Sequence, residues 1–200
     1  MTGIPSQAKR QAILKAATEA FLHSGYAVSV DEIAATAGVG KQTVYRHFHD
    51  KQGLFLAAVA AARATPLDQP APGTLTSGTP LETLTHLGEQ ILAAALSPTV
   101  AALHRLTIAE IANHPELSTH WPDGAEPFID HQLAAYFRHC DETGSLTVPD
   151  PARTARQFAY LLITEGRVAS AYGTRRLTPH QRQRIAAETA DLIVRAHRPA

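Results

Sequence analysis

The stretch from Val30 to Phe48, VDEIAATAGVGKQTVYRHF, limits the possible folds of this chain more than any other feature. Its apolar residues recur at helical spacing on both sides of Gly38, where a sharp turn needs a positive φ. Val44 and Phe48 are one helical turn apart and predict the buried face of a second short helix. Two short helices joined by a three- or four-residue turn are typical of a helix-turn-helix.

The start of this motif is marked by a predicted capping box. Ser29 and Glu32 are spaced so that the serine hydroxyl accepts from the glutamate amide and the glutamate carboxylate accepts from the serine amide. The sequence therefore predicts that a helix begins beside Ser29 and ends near Ala37.

Helical spacing continues along the whole chain, and alternating β-branched runs are missing. We predict an all-α fold of about nine helices. A segment with four prolines, TPLDQPAPGTLTSGTP at 65–80, predicts a loop or boundary between a DNA-binding domain at 1–64, with its motif at 29–48, and a larger helical domain at 65–200. The predicted helices cover 6–23, 30–37, 41–48, from about 50 onward, 81–96, 99–113, 126–143, 151–172 and 178–198.

Charge is distributed unevenly along the chain. Residues 1–63 hold seven Lys and Arg against four Asp and Glu, a formal charge of +3, and the remainder holds eleven Arg against fourteen acidic residues, a charge of −3. This asymmetry is typical of an anion-binding head on a neutral-to-acidic body.

The compartment is predicted from cysteine usage and hydropathy. Cys140 is the single cysteine, which excludes an internal disulfide, and no apolar run approaches the length of a membrane span. We expect a cytoplasmic protein without a membrane partner. A reactive role for Cys140, beside Arg138 and His139, stays an alternative to an inert buried thiol.

The second helix of the motif is rich in hydrogen-bond donors on its exposed side. Gln42 can bond adenine at two positions and the Thr43 methyl can contact thymine, while Lys41, Tyr45, His47 and Lys51 suit phosphate. The candidate DNA-contact residues are Ser29, Lys41, Gln42, Thr43, Tyr45, Arg46, His47 and Lys51.

The run AGVGKQTVYRHFHDKQGLF, with the capping box before it, resembles the N-terminal domain of the TetR family of repressors over about residues 10–60. The resemblance implies that Gln42, Thr43, Tyr45 and His47 face DNA and that Lys51 lies against a phosphate. Two positions depart from the family pattern. Gly40 replaces the usual capping serine, and Gln42 replaces a common glycine, which we expect to alter base preference.

The body resembles one subtype of the same family. RLTIAEIANHPELSTHW and DPARTARQFAYLL are similar to the AefR-like C-terminal region, which implies a helical body with a ligand cavity and dimerisation through the last two helices. Apolar and hydrogen-bonding residues of the body suit a small-molecule pocket, although each also suits a core. The candidate pocket residues are Leu103, His104, Thr107, Ile108, Trp121, Phe128, His131, Gln132 and Phe158.

These features predict a transcriptional regulator, a repressor that binds a palindromic operator as a homodimer and is released by an unidentified small molecule. The alternative is a helical adaptor with the same fold and no operator binding. We expect no enzymatic activity, because the sequence motifs of hydrolases, phosphate-binding loops and zinc proteases are missing. We also expect no cofactor and no metal, because pairs such as Glu110 with His114 and His47 with His49 lack the spacing of a known site.

Overall fold

The computed structural model describes residues 6–63, 78–118 and 127–199. This part of the chain forms nine α-helices and a short 3-10 helix, Pro115–Ser118, and contains no strand. The predicted all-α class is confirmed, and the predicted helix ends differ from the observed ones by a few residues at most. The helices are α1 Ser6–Ser24, α2 Val30–Thr36, α3 Lys41–Phe48, α4 Lys51–Arg63, α5 Pro80–Ala95, α6 Pro98–Ile111, α7 Pro127–Glu142, α8 Pro151–Ala169 and α9 Pro179–Ala196.

Three of the later helices begin in the same way, with a capping side chain followed by proline. Thr79, Asp150 and Thr178 accept hydrogen bonds from backbone amides in the first turns of α5, α8 and α9. Proline suits the first helical position because its missing N–H has no partner there in any case. The start predicted at Thr178-Pro179 is confirmed.

The described residues divide into two compact units. The first unit contains α1 to α4 together with residues 99–118, which hold most of α6. The second unit contains residues 78–98 and 127–199, with α5, α7, α8 and α9. The helix break predicted at Ser97-Pro98 is confirmed. The domain boundary predicted after residue 64 lies outside the described residues and stays a prediction, as does most of the loop predicted at 65–80.

The core of the first unit lies between α1 and α4. Ile13 and Phe21 from α1 meet Leu54 and Phe55 from α4, and all four are buried. The Phe21 and Phe55 rings lie edge to face, 4.9 Å apart, in a geometry that aromatic pairs prefer. Leu103 of α6 joins the same cluster, so α6 is part of this core.

The second unit is held by close packing of α5 against α9 and of α7 against α8. Gly88 of α5 faces α9, and Gly166 of α8 faces α5, at points where these helices pack closely. A Cβ on Gly88 would lie 3.0 Å from the Ala186 Cβ, and a Cβ on Gly166 would overlap Leu92 Cδ2. A methyl group at either position would require a neighbouring side chain to shift within a tightly packed core.

The end of α9 is tied to two other segments of the second unit. The His197 carbonyl accepts a hydrogen bond from the Thr147 amide at 2.8 Å. The two ring nitrogens of His197 lie 2.9 Å from the Thr147 carbonyl and 3.3 Å from the Thr154 hydroxyl. These contacts join the end of α9 to the segment that precedes α8 and to the beginning of α8 itself.

Among the described residues, no single helix has both the length and the apolar composition to cross a membrane, although α5 and α6 taken together as one interrupted segment reach both.

We expect Gly166→Ala to destabilise the second unit, because its methyl group must displace Leu92 from a packed core. Overpacking of this kind costs about 1–3 kcal/mol, and the better helix propensity of alanine offsets about 1 kcal/mol of it. Urea unfolding followed by far-UV circular dichroism, at a fixed protein concentration, measures the change. Gln157→Ala, on the exposed side of the same helix, is the control and is expected to stay near wild type. Equal stability of both variants would contradict the packing argument.

Candidate nucleic-acid interface

The capping box predicted at the start of α2 is present. The Ser29 amide donates to a Glu32 carboxylate oxygen at 3.0 Å, and the Glu32 amide donates to the Ser29 hydroxyl at 3.2 Å. The Ser29 amide, and with it the Ser29 hydroxyl 3.0 Å from the same carboxylate oxygen, lowers the pKa of the Glu32 carboxyl below its ordinary value, because both groups donate to the charged form. The box fixes the direction in which α2 leaves the preceding loop.

The turn between α2 and α3 has the geometry predicted for Gly38. Its φ is 67°, in the left-handed region that glycine adopts without strain. The next amide, of Val39, donates back to the Ala34 carbonyl at 3.0 Å. Gly40 then occupies the N-cap of α3 with no side-chain hydrogen bond, so this helix start lacks the hydroxyl cap that α2, α5 and α9 have.

The inner side of α3 is buried against the first unit. Val44 is fully buried, Phe48 is almost so, and Arg10 of α1 places its guanidinium 5.2 Å from the centre of the Phe48 ring. The predicted buried face is confirmed. It leaves the opposite side of α3 facing outward from the core.

The outer side of α3 carries polar side chains. Gln42, Tyr45 and Arg46 are exposed, and Thr43 is half-buried. Gln42 and Thr43 lie in the first turn of the helix, the end that meets base edges in helix-turn-helix proteins. The arrangement can present an amide, a methyl group, a phenol and a guanidinium to one partner at the same time.

Lys41 has an internal partner that the sequence did not predict. Its ammonium lies 2.7 Å from a carboxylate oxygen of Asp31 in α2, and both side chains are exposed. The hydrogen bond and charge of Asp31 raise the pKa of Lys41. A phosphate would therefore have to compete with Asp31 for this lysine.

His47 is less open than predicted. The residue is half-buried, and among the described residues its Nε2 atom lies below the surface without a hydrogen-bond partner. Only part of the ring can face outward, so its predicted phosphate contact stays a prediction.

The turn between α3 and α4 is tight and is fixed by backbone contacts. His49 has φ 64° and ψ −54°, and the Asp50 amide donates to the Phe48 carbonyl across it at 2.8 Å, which is a strained γ-turn. The Asp50 carboxylate accepts from the Gly53 amide at 2.6 Å. A Cβ on Gly53 would overlap the Phe48 carbonyl oxygen. This turn sets where α4 begins.

Lys51 is the first residue of α4 and is half-buried. Its ammonium lies 4.7 Å from the centre of the Tyr26 ring. Burial lowers the pKa of Lys51, and the negative charge of Glu110 opposes that shift. The predicted phosphate lysine is thus held beside the turn that follows α3.

The candidate pocket residues lie in both units. Leu103, His104 and Thr107 are buried in α6 of the first unit, where the Thr107 hydroxyl donates to the Leu103 carbonyl, while Ile108 is exposed. In the second unit Phe158 is fully buried, His131 is exposed and Gln132 is half-buried. Nothing is described for the side chains of Trp121 and Phe128. The pocket stays a prediction for all of these residues.

Metal binding and the chemistry of the single cysteine are separate from the candidate interface. Among the described residues, no group of three or more His, Cys, Asp and Glu side chains could hold a metal ion. Cys140 is buried in the second unit beside Tyr136, and burial raises the pKa of the Tyr136 phenol.

The sequence did not predict side-chain contacts between residues that lie far apart in the chain. The spacing of residues in the sequence did not indicate three contacts: Lys51 with the Tyr26 ring, Arg10 with the Phe48 ring, and Lys41 with Asp31. The nearest signal was the charge of Asp31 itself, one residue into the predicted helix. The contacts of Tyr26 needed the three-dimensional packing of α1, α4 and α6.

Family models match two parts of the chain. Residues 13–58 match the model described as bacterial regulatory proteins, tetR family. Residues 82–199 match the model described as AefR-like transcriptional repressor, C-terminal domain. The second match alone covers more than half of the chain.

Individual relatives agree with these models. The HTH-type transcriptional activator FasR of Mycolicibacterium smegmatis is 44% identical over 57 residues, which is 28% of this chain and 26% of that protein. The chain thus matches about a quarter of the length of this relative.

Solved structures match over nearly the whole chain. A protein from Mesorhizobium loti described as a TetR-family transcriptional regulator has a TM-score of 0.80 at 25% identity, covering 98% of this chain and 99% of that one. The flavonoid-responsive regulator FrrA has a TM-score of 0.73 at 27% identity, covering 96% and 97%.

We expect the capping box to make stability depend on pH. Because the folded pKa of Glu32 is lowered, its charge stabilises the fold above the ordinary value of 4.5, and this contribution is lost as the pH falls through the folded pKa. Wild type should therefore exceed Glu32→Gln in stability near pH 7, with the difference shrinking below pH 4.5. Urea unfolding at a series of pH values measures it.

The chain offers an independent repeat of this experiment. Glu82 makes the same box with Thr79 at the start of α5, and its pKa is lowered for the same reason. Glu82→Gln should show the same trend, and a difference from wild type that does not change with pH for either variant would argue against the role of the charge.

Proposed function

Because this chain belongs to the TetR family of bacterial transcriptional regulators, we propose that it is a repressor that binds a palindromic operator as a homodimer and releases it when a small molecule binds. The observation that carries the proposal is the division of α3 into a buried apolar side and an exposed polar side. A helix held in this way can enter the major groove with its polar side against base edges.

Within the proposed interface, Gln42 and Thr43 contact bases and the other polar groups position the helix. A glutamine amide can bond the N6 and N7 atoms of adenine together, and a threonine methyl packs on the thymine methyl. Tyr45, Arg46 and Lys51 suit phosphate oxygens, which fix register without reading sequence. We assign the same positioning role to Ser29, Lys41 and His47. Lys41 must exchange its contact with Asp31 for a phosphate, and His47 can use only the exposed part of its ring.

The proposed dimer rests on an exposed apolar face of α8 and α9. Val168 is 62% exposed and Leu192 is 54% exposed, and they line a groove of about 780 Å³ together with Leu161 and Tyr160. Large apolar side chains grouped in this way mark an interaction surface. A second copy of the chain is the occupant that a two-fold operator requires, because a two-fold interface uses the same surface twice.

The direction of regulation and the effector are proposed from the relatives. The model that matches residues 82–199 is named for a repressor, whereas the match with the activator FasR covers 57 residues. We therefore favour repression. Similarity to the flavonoid-responsive FrrA over nearly the whole chain supports a small-molecule effector and makes flavonoids the first compounds to test. A regulator of this kind acts on the chromosome, so we place it in the cytoplasm.

Selection of bound sequences from a library of random duplexes tests the proposed function. We expect the chain to enrich a two-fold symmetric site, because each protomer of a dimer contributes one α3. Gln42→Ala should relax the preference at one base pair in each half-site, at a cost of about 1–3 kcal/mol against the preferred base.

The matched control is Gln157→Ala, an exposed glutamine of α8 in the second unit, which should leave the selected sequence unchanged. Failure to enrich any sequence would favour the adaptor alternative. Enrichment with an unchanged preference in Gln42→Ala would remove Gln42 as a base reader. Repeating the binding with flavonoids tests release by an effector.

The proposed dimer is tested by Val168→Glu. In a two-fold interface the substitution buries two carboxylates without partners, and an unpaired buried charge costs several kcal/mol. We expect light scattering after gel filtration to give twice 21.5 kDa for wild type and 21.5 kDa for the variant. Leu22→Glu, at an exposed leucine of α1, is the control and should stay dimeric. A monomeric wild type, or a dimeric Val168→Glu, would count against this interface.

A further inference from the structure

Lys51 is held in place by the ring of Tyr26. The ammonium lies 4.7 Å from the ring centre, within the range in which a cation is attracted to an aromatic face. Tyr26 is 6% exposed and its ring packs edge to face with the Phe55 ring, with centres 5.1 Å apart, so it cannot move aside without disturbing the core. The position of the Lys51 ammonium is therefore set by the first unit rather than by free rotation of its side chain.

The same ring connects Lys51 to the segment that follows α6. The Tyr26 ring lies 4.6 Å from the His114 ring, centre to centre, at an angle of 61°. His114 Nε2 in turn lies 4.0 Å from a carboxylate oxygen of Glu110, one helical turn earlier. All four residues belong to the first unit. A carboxylate of α6 and the lysine at the start of α4 thus lie at the two ends of one set of contacts.

Building on the proposed function, we propose that Tyr26 and Glu110 are positioning residues for the phosphate contact of Lys51. The Tyr26 ring holds the ammonium beside the α3–α4 turn, and the Glu110 carboxylate competes with a duplex phosphate for its charge. The strength of one DNA contact is then set by a side chain of α6, which itself need not touch DNA.

Electrostatics supports this competition. The Glu110 carboxylate and the Lys51 ammonium belong to one set of contacts through His114 and Tyr26, and the negative charge of Glu110 opposes the lowering of the Lys51 pKa by burial. Lys51 is half-buried and less screened than a fully exposed lysine. An ammonium has three N–H donors and can keep its place on a ring while one of them meets a phosphate. The ring therefore favours the contact and the carboxylate weakens it.

A double-mutant cycle between Glu110 and Lys51 tests the proposal. The probe is a random-sequence duplex, because non-specific binding depends mainly on phosphate contacts and needs no known operator. Affinity is measured by fluorescence anisotropy over a range of salt concentrations. We expect Lys51→Met to weaken binding and to reduce the salt slope by about one unit.

Glu110→Gln should tighten binding by about twofold to fivefold at low salt, the range expected for one partly exposed charge pair. In the Lys51→Met background the same substitution should have no effect, because the group through which it acts is gone. Glu19→Gln, at an exposed acid of α1 in the same unit, is the control for the loss of one negative charge. Its effect should be small and the same in both backgrounds.

The ring is tested separately. Tyr26→Phe keeps the aromatic face and should bind as wild type does, whereas Tyr26→Leu should weaken binding and lower the salt slope as Lys51→Met does. Thermal unfolding followed by circular dichroism reports whether Tyr26→Leu is folded. If it is not, the cycle between Glu110 and Lys51 and the behaviour of Tyr26→Phe decide the proposal.

The possible outcomes distinguish a failure of this inference from a failure of the proposed function. Wild type without salt-dependent duplex binding overturns the proposed function itself. Normal binding by wild type, with an equal gain from Glu110→Gln in both backgrounds, overturns the inference alone, since the charge would then act at long range on the whole duplex. Weak binding by Tyr26→Phe would also overturn it, because the aromatic face is intact in that variant.

Discussion

The burial of Val44 and Phe48 beneath α3 is the interaction on which the rest of the proposed interface depends. Their burial turns the polar side of the helix outward, and truncation of a buried phenylalanine to alanine costs about 3–5 kcal/mol. The Phe48 carbonyl also accepts from Asp50 and leaves no room for a side chain at Gly53. One residue therefore orients α3 and sets the start of α4, so that the exposed polar groups of α3 and the lysine at position 51 are fixed by the same core.

Local features of this arrangement were predictable because they depend on residues within one helical turn. The box between Ser29 and Glu32 and the positive φ of Gly38 each follow from the chemistry of neighbours in sequence. The inclusion of α6 in the first unit was not predictable from periodicity. An amphipathic pattern shows that a helix has a buried face, but not which other helix covers it. Leu103 reaches this core from a position more than thirty residues beyond α4.

In the candidate interface, too, the sequence did not show which partners a single residue meets in the fold. Donor side chains on α3 were predicted by type and spacing, and Gln42 and Arg46 are exposed as expected. Lys41 and His47 have the right chemistry as well, yet Asp31 holds the first and the second keeps one ring nitrogen below the surface. A partner ten residues away on another helix has no periodic signature. Residue type thus predicts which groups can meet a phosphate, while packing decides which of them are available.

The helix α6, which belongs to the first unit, directly follows α5 of the second unit in the chain, and this connection bears on the surroundings of Lys51. α5 belongs to the second unit and ends at Ala95, and α6 begins at Pro98, so only two residues connect them. Two residues span at most about 7 Å even when fully extended. A connection this short keeps the start of α6 close to the end of α5. Glu110 lies in α6, His114 follows three residues after its end, and both belong to the set of contacts that contains Lys51. On the proposed function, a ligand-induced change in the second unit thus has a covalent route to one phosphate contact. In the proposed function such a route acts on the charge and packing around Lys51, and it requires no change in the apolar contacts that hold α3.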